Sequence, residues 1–230
     1  MKPVARDGHL PPIIFDFDGV VVDSEILASR IFAEYLSLSG APMTEADIAA
    51  NFTGMRLVDS MNAIEARHGK ALPQDFYDGL HAYGRTIFSE HLRIVEGADA
   101  FIRKCANRKI AIASSSDLQH ISHSLDLVGL SHHFAGRCFS AARLAHGKPH
   151  PDIYLIAADA IGAPPAACIA IEDSERGVTA AVRAGMYTIG LTAASHCHAG
   201  TISALREAGA HYVANSYFDI ERHLEIQRGE

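Results

Sequence analysis

The sequence contains no run of about 18 apolar residues, so no helical membrane span is expected. It also lacks a Cys-x-x-Cys pair. Cys105, Cys138, Cys168 and Cys197 stand far apart, which argues against a zinc knuckle or a disulfide framework and fits free thiols in a reducing cytoplasm. Positive charge is short. Its 20 lysines and arginines face 27 aspartates and glutamates, for a formal net charge of −7. The overall field therefore attracts neither nucleic acid nor an anionic membrane. A phosphorylated small molecule would depend on locally placed cations and on a metal ion. Repeats and low-complexity tracts are absent too. What remains is an ordinary soluble composition, 48% apolar and 20% charged, in a chain of 230 residues. That length suits one large domain or a domain with an insertion, and a monomer is expected.

The chain is organised around Phe15-Asp16-Phe17-Asp18-Gly19. Before it, Pro12-Ile13-Ile14-Phe15 has branched residues, a proline at its entry and no helical period, the pattern of a short buried strand. On a continuing strand Asp16 and Asp18 would point the same way. Gly19 lets the backbone turn, which frees amide N–H groups to face an anion. Two aspartates and exposed amides at a strand's carboxyl end describe a metal-plus-phosphate site.

Asp23 or Ser24 can cap a helix from Glu25, whose apolar positions keep the helical period until Gly40-Ala41-Pro42. Thr44 to Asp47 resembles a capping box opening a helix to about Asn51. Further helices are predicted over Arg56–His68 and Pro73–Glu90, with no strand between Glu25 and His91. From Gly97 helix and strand alternate. The predicted helices are Ala98–Ala106, Asp117–Val128, Asp152–Ile161, one capped by Ser174 and ended by Gly185, Ile202–Glu207 and a last one capped by Asp219. The predicted strands are Lys109–Ala113, Arg137–Phe139, Cys168–Ile171, Thr188–Leu191 and Tyr212–Val213. Such alternation implies an α/β fold, a Rossmann-like parallel sheet with helices on both faces. Residues 12–23 and 96–230 are expected to form this discontinuous core. Residues 24–95 would be an inserted all-helical cap, and residues 1–11 a loose tail.

Open parallel sheets bind ligands just beyond the carboxyl ends of their strands. There the sequence places Asp16 and Asp18, Ser114 and Ser115, Lys148 in Gly147-Lys148-Pro149, and Glu172-Asp173. Singly each has an ordinary explanation, such as a helix cap, an exposed lysine or a dipole partner. Together and in this order they resemble the four motifs of the haloacid dehalogenase-like hydrolase superfamily, over about residues 12–215. The helical insertion directly after the first motif is similar to the branch holding sugar-phosphate phosphatases and β-phosphoglucomutases.

The resemblance implies a cytoplasmic, Mg²⁺-dependent phosphatase acting on a small phosphorylated metabolite. A sugar phosphate or a sugar-acid phosphate such as 6-phosphogluconate would suit. Asp16 would be the nucleophile that forms an aspartyl-phosphate, and Asp18 the general acid–base. Mg²⁺ would take Asp16, the Asp18 carbonyl and Asp173, with Glu172 bound directly or through water. Gly19, Ser114, Ser115 and Lys148 would hold the phosphoryl group, and Arg56 would read the leaving group from the cap. A phosphosugar mutase is the main alternative. In β-phosphoglucomutases a histidine stands twelve residues after the nucleophile, whereas that position here is Ala28, which favours water as the acceptor. A dehalogenase would need neither Asp18 nor Asp173. A receiver-like phosphorylation switch would be about half as long and would lack the insertion. His196-Cys197-His198 matches no usual zinc spacing and reads as a polar loop. Arg30 and Arg85 could face either the cleft or water.

Overall fold

β1 (Ile13–Phe15) consists of three branched or aromatic residues with no exposed surface, a composition that only the middle of a sheet covered on both faces can accommodate. In the computed structural model, which describes residues 11–105 and 108–226, it holds that place. β2 (Ile110–Ser114) and then β3 (Cys138–Ser140) lie on one side. On the other lie β4 (Ile169–Glu172), β5 (Tyr187–Leu191) and β6 (Tyr212–Ala214), giving the order β3-β2-β1-β4-β5-β6. Every pairing is parallel. Phe15 pairs with Ile112 and Ile171, so Asp16, Ser114 and Glu172 emerge together at one edge. The chain reverses its direction of winding between β1 and β4, which opens the crevice where such sheets bind ligands.

Alternation along β1 sends its side chains to two cores. Ile13 and Phe15 join Phe101, Phe134 and Tyr217, while Ile14 joins Ala111, Ala113 and Tyr154. The sheet is flanked by α5 (Ala98–Lys104), α6 (Leu118–Leu127), α7 (Asp152–Ala160), α8 (Glu175–Arg183), α9 (Ala199–Glu207) and α10 (Tyr217–Ile226). Between β1 and α5 come α1 (Glu25–Leu38), α2 (Glu45–Phe52), α3 (Leu57–His68) and α4 (Phe76–His91). These four share a hydrophobic cluster of their own, with Ile31, Phe32, Leu36, Ile64, Phe76 and Leu80 at its centre. The two connections to the sheet run side by side: Asp23 N–H donates to Arg93 O at 2.8 Å, and Val95 N–H to Val21 O at 3.1 Å.

Helix starts differ from the sequence pattern in three informative places. Ser24 precedes α1, but its side chain makes no capping bond because it is committed to Asp18. α9 starts three residues earlier than its apolar period, since His198 accepts from Gly200 N–H and exchanges a second bond with Thr201. Asp219 lies inside α10, where its own N–H donates to the Ser216 hydroxyl at 3.1 Å. At Thr44 the expected box is formed, with Asp47 as its reciprocal partner. The loose tail expected over residues 1–11, Pro11 apart, and the helix end at Ala106 lie outside the described residues.

Candidate active site

Two carboxylates meet one ammonium at this sheet edge, with two more aspartates close by. Lys148, brought in by the loop after β3, donates to Asp16 Oδ1 and to Glu172 Oε1, each at 2.6 Å. Its side chain is 1% exposed, so these are buried, charge-assisted bonds. Glu172 is wholly enclosed. Its Oε1 also accepts from the Tyr154 hydroxyl at 2.6 Å, and its Oε2 accepts from Asp173 N–H, Ser174 N–H and the Ser174 hydroxyl. A Cβ on Gly177 would stand 1.7 Å from Glu172 Oε1, so only glycine lets α8 approach this carboxylate. With both oxygens so engaged, Glu172 is a holder of Lys148 and of the loop, and would reach a metal ion through water.

Asp173 is different. Its Oδ2 is buried with no hydrogen-bond partner, although His196 Nε2 lies 3.2 Å away. One oxygen each of Asp16, Glu172 and Asp173 fall within 4.8 Å of one another. Burial, followed by the repulsion of Glu172, pushes the Asp16 and Asp173 carboxyls well above their usual range. A divalent cation fits here: the donors are hard oxygens, one of them is orphaned, and Lys148 alone leaves the carboxylates under-compensated. Asp16 and Asp173 would hold the ion, with the Asp18 carbonyl as the expected third protein donor.

Asp18 sits across the same loop. Ser24 Oγ donates to its Oδ1 at 2.7 Å, Ser116 Oγ to its Oδ2 at 2.6 Å, and His120 Nε2 lies 3.4 Å from Oδ1. Burial pushes the Asp18 carboxyl up, but the bonds from His120, Ser116 and Ser24 outweigh it and hold the group at about 2. Close by, Glu25 lines the cleft, and burial with the charges of Asp173 and Asp18 lifts it to about 8. The cleft between sheet edge and helices encloses about 480 Å³, lined by Asp16, Asp18, Ser114, Ala28, Arg85 and His123 among others.

Three expectations change in this geometry. The Gly19 N–H is not free to face a phosphate, because it donates to Val22 O at 2.7 Å. Gly19 serves another need. It has φ +78°, and a Cβ there would stand 1.8 Å from Asp173 Oδ2. Gly19→Ala should therefore lower Tm, through about 1–2 kcal/mol of left-handed strain, and should weaken Mg²⁺ binding by displacing Asp173. A parent-like Tm together with a parent-like Mg²⁺ affinity would contradict this.

The Ser115 hydroxyl is likewise engaged, donating to Gly54 O of the helical insertion at 3.0 Å, which leaves Ser114 as the buried hydroxyl at the site. Arg56 lines the cleft but is not a free cation. Its guanidinium forms a fork on Asp59, at 2.6 and 2.7 Å, and its Nη1 donates to the carbonyls of Ala141 and Leu144. It staples the loop before α3 to the loop after β3. Arg30, too, is paired, with Glu34 at 2.9 Å on the exposed face of α1. His196-Cys197-His198 splits by role, with His196 over Asp173 and His198 capping α9.

A family model described as haloacid dehalogenase-like hydrolase matches residues 13–185. The 6-phosphogluconate phosphatase of Escherichia coli (strain K12) is 26% identical over 191 residues, covering 82% of this chain and 85% of that protein. The β-phosphoglucomutase of Bacillus subtilis (strain 168) is 27% identical over 190 residues, covering 78% and 82%. A crystal structure of a hydrolase of the same family from Deinococcus radiodurans R1, with bound phosphate and sodium, is 29% identical. It superposes with a TM-score of 0.73, covering 96% of this chain and 98% of that one.

Proposed function

The chain belongs to the haloacid dehalogenase-like hydrolases, and from that premise we propose that it is a Mg²⁺-dependent phosphatase of small sugar phosphates or sugar-acid phosphates. The observation that carries this reading is the pair of aspartates on one loop in opposite settings. Asp16 lies against a buried ammonium, and Asp18, two residues on, lies among hydroxyls at the cleft. Similarity to a 6-phosphogluconate phosphatase favours a sugar-acid phosphate.

The residues divide the work as follows. A carboxylate oxygen of Asp16 attacks phosphorus in line and the bond from phosphorus to the alkoxide oxygen breaks; Asp18, ionised in the substrate-free site, gives that oxygen a proton it takes up as the phosphate dianion enters. Water then attacks the aspartyl-phosphate, Asp18 takes the water's proton, and phosphate leaves with Asp16 regenerated. Lys148, the Ser114 hydroxyl and the amides of Phe17 and Asp18 hold the phosphoryl oxygens, where charge on the transferring group is stabilised. A bound Mg²⁺ would screen carboxylate from phosphate, a repulsion of ~4 kcal/mol per charge pair at ~4 Å and an effective dielectric of ~20. Residues 24–95 act as a cap that opens for substrate and closes to exclude water during transfer.

A mutase reading draws support from the relative in Bacillus subtilis, yet Ala28 lines the cleft where an acid–base side chain would be needed. The test is a panel of phosphorylated sugars and sugar acids assayed for phosphate release, with Mg²⁺ and again with EDTA. Release that depends on Mg²⁺ and is strongest on sugar acids is expected. Full activity in EDTA, or conversion of glucose 1-phosphate to glucose 6-phosphate faster than phosphate release, would overturn the reading.

A further inference from the structure

α4 lies across the N-terminal turn of α6, and the seam between them is built from aromatic and imidazole rings. The Tyr77 hydroxyl and His81 Nε2 meet Asp117 Oδ2 at 3.1 and 3.2 Å, and Ser89 Oγ lies 3.4 Å from His123 Nε2. At the inner end of this seam the Phe88 ring packs edge-on against His120, with centroids 5.0 Å apart and planes at 74°. His120 also meets Phe17, at 6.3 Å and 83°, in the loop that carries both aspartates. Its backbone N–H is fixed by Asp117 Oδ1 at 2.9 Å. Two rings and a helix cap thus leave the imidazole little freedom, and its Nε2 comes to rest 3.4 Å from Asp18 Oδ1.

Three side chains reach Asp18, and their anchorage differs. Ser116 belongs to the sheet edge, and Ser24 to the start of α1. His120 joins the sheet-edge loop to α4, because the Phe88 that pins it comes from the helical insertion. Asp18 must aim a proton at the leaving oxygen in one half of the reaction and at water in the other. A carboxyl held by two hydroxyls alone could rotate, since each hydroxyl turns with it.

We propose that His120 is the positioning residue of Asp18, an imidazole packed against Phe17 and Phe88 that holds the acid–base carboxyl on aim only while α4 is seated against α6. The inference rests on the phosphatase reading above and deepens it: closure of the helical insertion and proton transfer become one event. The polar contact of the His120 ring at this site is with Asp18.

Its test uses the dependence on leaving group. An alkoxide must be protonated as it departs, whereas p-nitrophenolate leaves without a proton. His120→Leu keeps the packing against both phenylalanines and removes the donor. His120→Asn keeps a donor, and Phe88→Ala frees the ring from α4. The readouts are kcat and KM on 6-phosphogluconate, or on whichever alkyl phosphate the panel ranks above it, and the pre-steady-state burst of p-nitrophenolate from p-nitrophenyl phosphate. For His120→Leu, kcat on the alkyl phosphate should fall by roughly 10²-fold, within the range of general acid–base help. KM and the nitrophenolate burst should stay within about threefold of the parent. Phe88→Ala should show the same pattern more weakly, and His120→Asn should recover part of the loss. Equal losses on both substrates, a loss confined to KM, or a parent-like His120→Leu would overturn the assignment. A parent enzyme that releases phosphate from neither substrate would overturn the phosphatase reading and this inference with it.

Discussion

Asp16→Asn is expected to be folded and to release no measurable phosphate. The amide keeps the size and planarity of the carboxyl, so the end of β1 and the packing of Ile13 to Phe15 should be undisturbed. What disappears is the proposed nucleophile. Without it the enzyme keeps only binding and the hydrogen-bond donors, and the loss should reach roughly 10⁴-fold or more. Stability should move the other way in the absence of metal. Burial and the charge of Glu172 push the Asp16 carboxyl up, which means that its ionised form is disfavoured in the folded chain. A neutral amide relieves that strain, while Lys148 retains its bond to Glu172. The metal-free variant should therefore melt at or above the parent Tm near neutral pH, and its Mg²⁺ affinity should be lower. Phosphate release, Tm and Mg²⁺ titration on the same preparation decide the matter. Turnover within tenfold of the parent would remove Asp16 from the chemistry.

Much of this site was legible because its signals are local. Asp16 and Asp18 are separated by one residue on a strand whose burial the sequence announces. Glu172-Asp173 follow a second apolar run, so the parallel sheet alone brings them together. Tyr154 was hidden. At helical spacing among Ile153, Ala157 and Ala158 it reads as a core aromatic, and its hydroxyl finds Glu172 only because α7 packs on the face of the sheet. A buried tyrosine hydroxyl does demand a partner, and that demand was the available signal. Arg56, expected to read the leaving group, lines the cleft with its guanidinium already engaged. Asp59, three residues on, stands at the spacing of a helical ion pair, and the fork between them occupies the guanidinium. His120 had no signal at all. Its contact with Asp18 spans 102 residues and joins two segments that approach only in the folded molecule.

Lys148→Met should damage stability and catalysis together, and the two losses should separate when Mg²⁺ is added. Nζ lies 2.6 Å from Asp16 and 2.6 Å from Glu172, out of contact with water. Removing one partner of a buried ion pair costs about 3–5 kcal/mol. Glu172 keeps Tyr154, Ser174 and two backbone amides, so the loss falls mainly on Asp16. The pH dependence follows from the direction of each shift. Asp16 and Asp173 titrate above their unfolded value of 3.8. Their contribution is fully present below that value and is lost as pH rises through the raised one. Lys148 opposes this by drawing Asp16 down, so the variant should lose more stability than the parent between about pH 4 and neutrality. Asp18, held at about 2, works in the opposite sense: its contribution is present above 3.8 and lost as pH falls through 2. The metal-free variant should thus be most stable near pH ~4, where the raised pair is still protonated and Asp18 is ionised. A divalent ion among the carboxylates replaces the missing charge, so Mg²⁺ should raise the variant's Tm by more than it raises the parent's. It cannot replace the ammonium proposed to hold a phosphoryl oxygen. Turnover should therefore remain down by roughly 10²–10³-fold at saturating Mg²⁺. Thermal melts from about pH 4 to about pH 8 with and without Mg²⁺ read the first effect, and phosphate release reads the second. A variant whose metal-free Tm matches the parent across that range would show that Lys148 does not neutralise the site, whatever its position.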